Sequence, residues 1–364
     1  MRSLRIAYVN LHWSRPLTSG VGKKMDMQLR LWREMGHTTQ LFMHMHTPAN
    51  VEPLVAGEQF EYAIKGRLGT EIGRSQALMR LMAAVRAWRP DVIYLRYGMY
   101  VFPLQELSKI APVVVEINTN DVHEHERLGG VLSLYNRLTR GITLRSASGF
   151  VAVSGEFLES PNFARYHKKG IVVGNGIDLG EFDQLEAPGN DPPRVVFVGT
   201  PGFPWNGIDH LVKLAEKCQD LEFDLVGYDQ LPDGLPCPPN IHLLGYLSGA
   251  SYKVALGTAD AALGPFALYR IQVNERSTLK LNEYLACGLP VITAYRDTNL
   301  EGLEADWLLR IPNAPDNIET HAEAIRNFVY AMRGRRVDRA VVAPRIDARI
   351  KEYDRLAFLH SFVK

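Results

Sequence analysis

Short apolar runs of β-forming residues alternate along the chain with longer segments whose apolar positions recur at helical spacing. "LRIAYVNLHW" opens the series as a strand. "SRPLTSGVGKKMDMQLRLWREMGH" follows, with Met25, Leu29, Leu31 and Trp32 on a helical repeat that stops at Gly36. Gly20 and Gly22 read as a loop before that helix, and "TTQLFMHMH" reads as the next strand. Strand, glycine loop, helix and strand in succession open a doubly wound α/β domain. "ALMRLMAAVRAWRPDVIYLRYG" repeats the theme as a helix, a break at Pro90-Asp91 and a strand from Val92 to Leu95; "APVVVEIN" and "GFVAVSG" are further strands.

Turn residues then cluster at Asn175-Gly176, Pro188-Gly189-Asn190 and Pro192-Pro193, so residues 170–193 read as a linker. Beyond it the alternation resumes: strands at 195–198, 222–226, 241–244, 260–264 and 290–293, with helices near 207–218, 251–257 and 278–287. The expected architecture is two consecutive Rossmann-like α/β domains, 1–170 and 171–340. A terminal helix over 341–364 presents Ile346, Ile350, Tyr353, Ala357 and Leu359 to the body. Two domains also suit 364 residues, which exceed one ordinary core.

Composition narrows the class. With 46% hydrophobic and 22% charged residues the chain is globular, and no apolar run approaches the roughly 20 residues that span a bilayer. The N-terminus enters a strand without a secretory h-region, and Cys218, Cys237 and Cys287 lie far apart, so a reducing cytoplasm is expected and a zinc site is not. The net charge of +1 hides an asymmetry. Residues 1–170 hold 22 Lys and Arg against 14 Asp and Glu, and the remainder 19 against 26. Different partners for the two halves would produce that division, as would an uneven solvated surface. The stretch 74–89 sharpens the choice. Leu78, Leu81, Met82, Val85 and Trp88 line one helix face with Arg80 and Arg86 beside it, either as the inner side of a sheet-covering helix or as a peripheral membrane contact.

Candidate chemistry sits in three loops, because doubly wound sheets bind ligands beyond the carboxyl ends of their strands, beside helix N-termini that favour phosphate. They are "TSGVGKK" with Gly20, Gly22 and Lys23, "GTPGFPWNG" with Thr200 and Asn206, and "RIQVNERSTLK". In the last, Ser277 or Thr278 is a good N-cap. Glu275 then lies in the loop before the helix and Glu283 in its second turn, two carboxylates suited to the hydroxyls of a polyol; a solvated face with a Glu283–Lys280 surface pair fits the same letters. His123 and His125 with Glu124 and Glu126 form a His-x-His pattern that suits either a metal or a solvated helix start.

The spacing Glu275-x7-Glu283 followed by "YLACGLPVI" resembles the sugar-nucleotide motif of glycosyltransferase family 4, retaining enzymes of the two-Rossmann GT-B fold. "LWREMGH", "VAVSGEF", "VVGNGIDLGEF", "VVFVGTPGFPWNG", "DLVGYD", "IHLLGYL" and "TADAALGPF" are similar to that family's other segments, in its order, from about residue 5 to 295. The resemblance implies a metal-independent enzyme without a cofactor that moves a sugar from a UDP- or GDP-linked donor to a glycan, lipid-linked or small-molecule acceptor, and it does not imply nucleic acid. It assigns Glu275 to the sugar hydroxyls, Arg276, Ser277, Thr278 and Leu279 to sugar and phosphate, and Glu283 to the ribose. Gly20, Gly22 and Lys23 approach the diphosphate from the first domain; Gly227, Gly245, Tyr246 and Leu247 flank the nucleotide. Thr200 and Asn206 stand where the family has Arg and Lys, so another cation must serve the diphosphate: Lys280 is favoured over Arg270, Arg276 and Lys23. Asn118 stands where many relatives have His. A nucleotide-sugar-binding scaffold without catalysis, or a sugar-nucleotide epimerase, remain alternatives.

Overall fold

The computed structural model describes residues 2–13, 20–47, 57–122 and 129–363. The chain divides into two compact units, residues 1–174 with 349–364, and Asn175–Ala348.

Unit 1 is built on seven strands: β1 (Arg5–Trp13), β2 (Thr38–Thr47), β3 (Gly57–Ala63), β4 (Val92–Arg96), β5 (Val113–Ile117), β6 (Gly149–Ala152) and β7 (Lys169–Val172). They form one parallel sheet in the order β3-β2-β1-β4-β5-β6-β7. The strand order reverses between β1 and β4, which leaves a crevice at the carboxyl edge. The three longest helices of the unit are α1 (Gly20–Glu34), α2 (Gly66–Trp88) and α3 (Gly130–Ser146). β3 and β7 escape the sequence pattern. Only Tyr62 of β3 is buried and β7 has no buried residue, so neither edge strand shows the apolar run of the central ones, and β7 occupies the start of what reads as a linker.

Two expectations about helix faces are corrected. Gly20 and Gly22 belong to the first turn of α1 rather than to a loop before it. In α2, Leu78, Leu81 and Val85 are fully buried, so that face covers the sheet and is not a membrane surface.

Unit 2 repeats the plan with β8 (Arg194–Val198), β9 (Glu222–Val226), β10 (Ile241–Gly245), β11 (Ala261–Leu263), β13 (Val291–Thr293) and β15 (Leu308–Arg310). These make a parallel six-stranded sheet in the order β10-β9-β8-β11-β13-β15. β12 (Glu275–Arg276) and β14 (Arg296–Asp297) pair separately. Helices α4 (Ile208–Lys217), α5 (Gly249–Gly257), α6 (Leu279–Ala286), α7 (Asn317–Met332) and α8 (Arg339–Ile346) cover the sheet. Phe197, Leu211, Phe223, Leu225 and Ile325 fill one face and Val196, Leu256, Leu285 and Val291 the other.

The terminal segment is two helices, α8 and then α9 (Ala348–His360), and from Arg349 the chain belongs to unit 1. α9 buries Glu352, Arg355, Leu356 and Leu359, whereas Ile350 and Tyr353 of the expected stripe are exposed. A polar pair holds the buried face: Glu352 is ion-paired to Arg355 and accepts from the Trp32 indole N–H at 2.7 Å. A hydrophobic periodicity cannot register a face whose centre is charged.

Candidate functional site

At the carboxyl edge of unit 2, β8 and β9 are each followed by a glycine, Gly199 and Gly227, that has no room for a side chain. A Cβ on Gly227, whose φ is +95°, would stand 2.1 Å from the Gly199 carbonyl oxygen, and one on Gly199 would meet the rings of Phe197 and Tyr228 at 2.5 Å. The close packing of these turns leaves a cleft of about 240 Å³, lined by residues 198–201, 226–227 and 246–247, by Tyr252 of α5 and by Lys280 of α6.

α6 supplies the charges. Its N-cap is Thr278, whose Oγ1 accepts from the Leu281 N–H at 3.3 Å. Ser277, the other candidate, is turned away: its Oγ accepts from the Asn175 N–H at 2.8 Å and its carbonyl from Asn175 Nδ2 at 2.6 Å. Asn282 and Asn299 both donate to the Asn175 carbonyl, at 2.7 and 2.8 Å, so the Asn175-Gly176 turn is fastened to the foot of α6. Nothing in the apolar pattern announces this web; Asn175 lies over a hundred residues from each of its partners.

Glu283 sits in the second turn of α6, and its Oε2 accepts from the Tyr252 hydroxyl at 2.6 Å. Burial and the neighbouring Glu283 charge push the Tyr252 phenol far above its ordinary pKa, so it remains a donor. Tyr252 is the residue that sequence reasoning missed. Glu275 lies in β12 rather than in a free loop, buried, with Oε1 accepting from the Thr298 hydroxyl at 3.0 Å.

Lys280 faces the cleft. Its ammonium makes no hydrogen bond or ion pair among the described residues. Burial lowers its pKa to about 8, against the pull of Glu283 and with a further push from Arg276. Among the other cations considered for the diphosphate, Arg270 is committed to Asp209 through two bonds of 3.0 and 2.6 Å and to the Pro204 carbonyl at 2.8 Å. Those bonds to Asp209 raise its pKa. Thr200 is exposed at the cleft. Asn206 is buried and acts as a staple instead: its Nδ2 donates to the Thr200 carbonyl and to the Tyr228 hydroxyl, both at 2.9 Å. Arg276 precedes Ser277 in β12, Leu279 begins α6, and Leu247 lines the cleft beside Tyr246, which is 79% exposed.

Gly20, Gly22, Lys23 and Asn118 belong to unit 1. Lys23 is exposed; the inward cation is its neighbour. Lys24 Nζ reaches Glu116 Oε1 at 2.8 Å and Asn118 Oδ1 at 3.0 Å, and Arg96 and the Tyr8 hydroxyl hold Glu116 Oε2 at 3.2 and 3.4 Å. Burial would raise the Glu116 pKa, but the charges of Lys24 and Arg96 hold it well below the ordinary carboxylate range. Burial lowers Lys24 to about 8 while Glu116 opposes the fall. The amide nitrogens of Asn10 and Asn118, beside this cluster at the carboxyl ends of β1 and β5, are buried and make no hydrogen bond among the described residues. The His123–Glu126 stretch lies outside the described residues.

No protein-family model matches the sequence, and no curated protein does. Solved structures match it over nearly its whole length. The lipopolysaccharide outer core galactosyltransferase WaaB, in its apo form, aligns with a TM-score of 0.69 at 11% identity, over 98% of this chain and 99% of that one. Sucrose-phosphate synthase from Thermosynechococcus elongatus aligns at 0.65 and 14%, over 99% of both chains. HepE of Anabaena, in complex with UDP-glucose, aligns at 0.63 and 15%, over 98% of this chain and 100% of that one. The chain has the GT-B fold of these glycosyltransferases. Among the described residues no helix is long and apolar enough to cross a membrane.

Proposed function

We propose that the chain is a glycosyltransferase of the family 4 kind, which holds a nucleotide-diphosphate sugar in the unit 2 cleft and transfers the sugar with retention of configuration. One observation carries this: Lys280, a desolvated ammonium without a partner among the described residues, lines a cleft at the carboxyl ends of β8, β9 and β10, with a tyrosine-held carboxylate one turn further along α6. An anion entering the cleft supplies what Lys280 lacks, and a vicinal diol supplies donors to Glu283. Two of the fold's representatives, HepE and an α-glucosyltransferase, were solved with UDP or a UDP-sugar bound.

In this scheme Glu283 takes the ribose hydroxyls, the turns at Gly227 and at Tyr246–Leu247 take the base, and Lys280 with the N–H groups at the start of α6 takes the diphosphate. Glu275 meets the sugar. As the bond from the anomeric carbon to the diphosphate oxygen breaks, the acceptor oxygen bonds that carbon on the same face, and its proton passes to the departing phosphate oxygen. Lys280 stabilises the charge that develops there, the largest electrostatic demand of the reaction. No metal or cofactor is needed. Asn118, held by Lys24, is the acceptor-side hydrogen-bonding group of unit 1, and the acceptor is a glycan, a lipid-linked glycan or a small molecule. The three cysteines are free thiols, which suits a reducing cytoplasm.

A nucleotide-sugar-binding scaffold is the second reading, favoured by Thr200 and Asn206, neither of which brings a cation. Titration calorimetry with UDP-, GDP- and ADP-sugars, followed by nucleotide release with and without acceptor sugars, separates the two. Binding with acceptor-dependent release supports the transferase; binding without release across a broad acceptor panel supports the scaffold. No binding of any nucleotide sugar overturns both.

A further inference from the structure

The loop after β8, "GTPGFPWNG", carries two aromatic side chains that have no role in holding a nucleotide. Phe203 is 41% exposed, and its ring lies against that of Trp205, with centroids 4.6 Å apart and planes tilted by 33°. The pair stands at the carboxyl edge of unit 2, two residues beyond Pro201, which lines the donor cleft. A single exposed aromatic is ordinary on a protein surface. This one is held in place.

The loop has little freedom to move. The Thr200 carbonyl accepts from Asn206 Nδ2 at 2.9 Å, that of Phe203 from the Asn206 N–H at 3.0 Å, and that of Trp205 from the Ala267 N–H at 3.2 Å. The Pro204 carbonyl accepts from the Gly207 N–H at 3.2 Å and from Arg270 Nη1 at 2.8 Å. Pro201 and Pro204 fix φ within the loop. Gly207, at φ +71°, closes it: a Cβ there would stand 3.0 Å from Phe266 Cβ and 3.2 Å from the Ala267 nitrogen. A ring presented by so fixed a backbone loses little further freedom when a ligand covers it.

The Pro204 bond also places polar groups beside the rings. The same Arg270 guanidinium is paired with Asp209 at 3.0 and 2.6 Å, and both side chains remain partly exposed.

We propose that Phe203, backed by Trp205 and bordered by Asp209 and Arg270, is a saccharide subsite that takes a gluco-configured pyranose ring of a glycan acceptor. Such a ring has axial C–H bonds on its faces and equatorial hydroxyls around its edge. The C–H bonds carry partial positive charge, which suits the negative face of an aromatic ring. The hydroxyls exchange hydrogen bonds with the carboxylate and the guanidinium. A flat apolar partner would use the ring but not the charged pair beside it. Calling the saccharide an acceptor rests on the transferase reading; the sugar site itself does not.

Titration calorimetry of cellotriose into the nucleotide-free full chain tests the subsite, with sorbitol as a polyol that has no ring face. Wild type should bind cellotriose and not sorbitol, and saturation of the aromatic protons should transfer to the axial sugar protons. Phe203→Ala should weaken cellotriose binding by about tenfold, the scale of one aromatic contact, and Phe203→Tyr should preserve it. Circular dichroism and nucleoside-diphosphate affinity should be unchanged in both variants. No cellotriose binding by the wild type, equal binding of sorbitol, or wild-type affinity in Phe203→Ala overturns the proposal. So does an equal loss of cellotriose and nucleotide affinity in that variant, which would make the loop a wall of the donor cleft. A chain that binds cellotriose but no nucleotide sugar keeps the subsite and loses the transferase; one that binds nucleotide sugars but not cellotriose does the reverse.

Discussion

Each unit places a lysine at the carboxyl edge of a parallel sheet, buried in unit 1 and half-buried in unit 2, and both lysines are depressed to about 8, but the two differ in company. Lys24 is bonded to Glu116 and Asn118, and Glu116 is bonded in turn to Arg96 and Tyr8. Lys280 has Glu283 one turn away, but the Tyr252 hydroxyl holds that carboxylate, and the ammonium faces the cleft. Pairing makes the first lysine part of the scaffold; the lack of it leaves the second with a charge to be satisfied by a ligand. Desolvation alone does not separate the two roles. The bonded partners do.

The comparison predicts opposite outcomes for the same substitution. Lys24→Met should cost about 3 kcal/mol of stability, since it removes the closest counter-charge of a buried carboxylate, read by chemical denaturation. Lys280→Met should leave stability unchanged or raised, since a half-buried cation with no bonded partner among the described residues is removed, while turnover falls by about tenfold to a hundredfold. Equal stability losses in the two variants would erase the distinction. Thr200→Arg, at an exposed position, should restore part of the lost turnover. Asn206→Lys should not, because it breaks the bonds to the Thr200 carbonyl and the Tyr228 hydroxyl.

The next effect in size concerns Glu283. Removing it as Glu283→Ala should lower nucleotide affinity by roughly ten- to a hundredfold, the scale of a charged hydrogen bond at about 1.5–3 kcal/mol. Tyr252→Phe should lower it by about tenfold or less, because the carboxylate stays but loses the hydroxyl that aims it. The conservative variant separates positioning from packing: the ring remains in the cleft wall, so a folded Tyr252→Phe with full affinity would remove Tyr252 from the site. Glu275→Gln should change affinity for free nucleoside diphosphate little and affinity for the full donor more.

The smallest effect is one of pH. The folded Lys280 releases its proton near 8, well below the ordinary 10.5 of the unfolded chain. Between those values the unfolded state holds more protons, so this group's penalty on stability is full below about pH 8 and fades as pH rises toward 10.5. Donor affinity should move the other way, falling as pH rises through about 8, and Lys280→Arg should flatten that fall.

The sequence revealed the parts of this site that are local. The helix near 278–287, an N-cap at Ser277 or Thr278 and the place of Glu283 in the second turn follow from a cap preceding a helical repeat, though only the structure decides for Thr278, and the central strands follow from short apolar runs. What stayed hidden depends on distance or on polarity inside the core. Lys23 and Lys24 are indistinguishable as letters, yet only Lys24 shares the buried face with Met25, Gln28 and Leu29. Asn282, fully buried in the middle of a polar-looking "KLNEY", acts through Asn175 and Asn299. Tyr252 reaches Glu283 across 31 residues. α9 hides its inner face because Glu352 and Arg355 occupy it. Each miss is a polar group satisfied by a partner that no window of the sequence contains.

The central claim is that Lys280 meets the diphosphate as a cation. Proton uptake measures this directly: titration calorimetry of the nucleoside diphosphate chosen by the donor panel, at about pH 8.5, just above the Lys280 midpoint, in two buffers of different ionisation enthalpy. Wild type should take up a substantial fraction of a proton on binding, because the anion raises a group that is mostly deprotonated in the empty cleft, and Lys280→Met should take up none. The same uptake in both proteins, or none in the wild type, would contradict it.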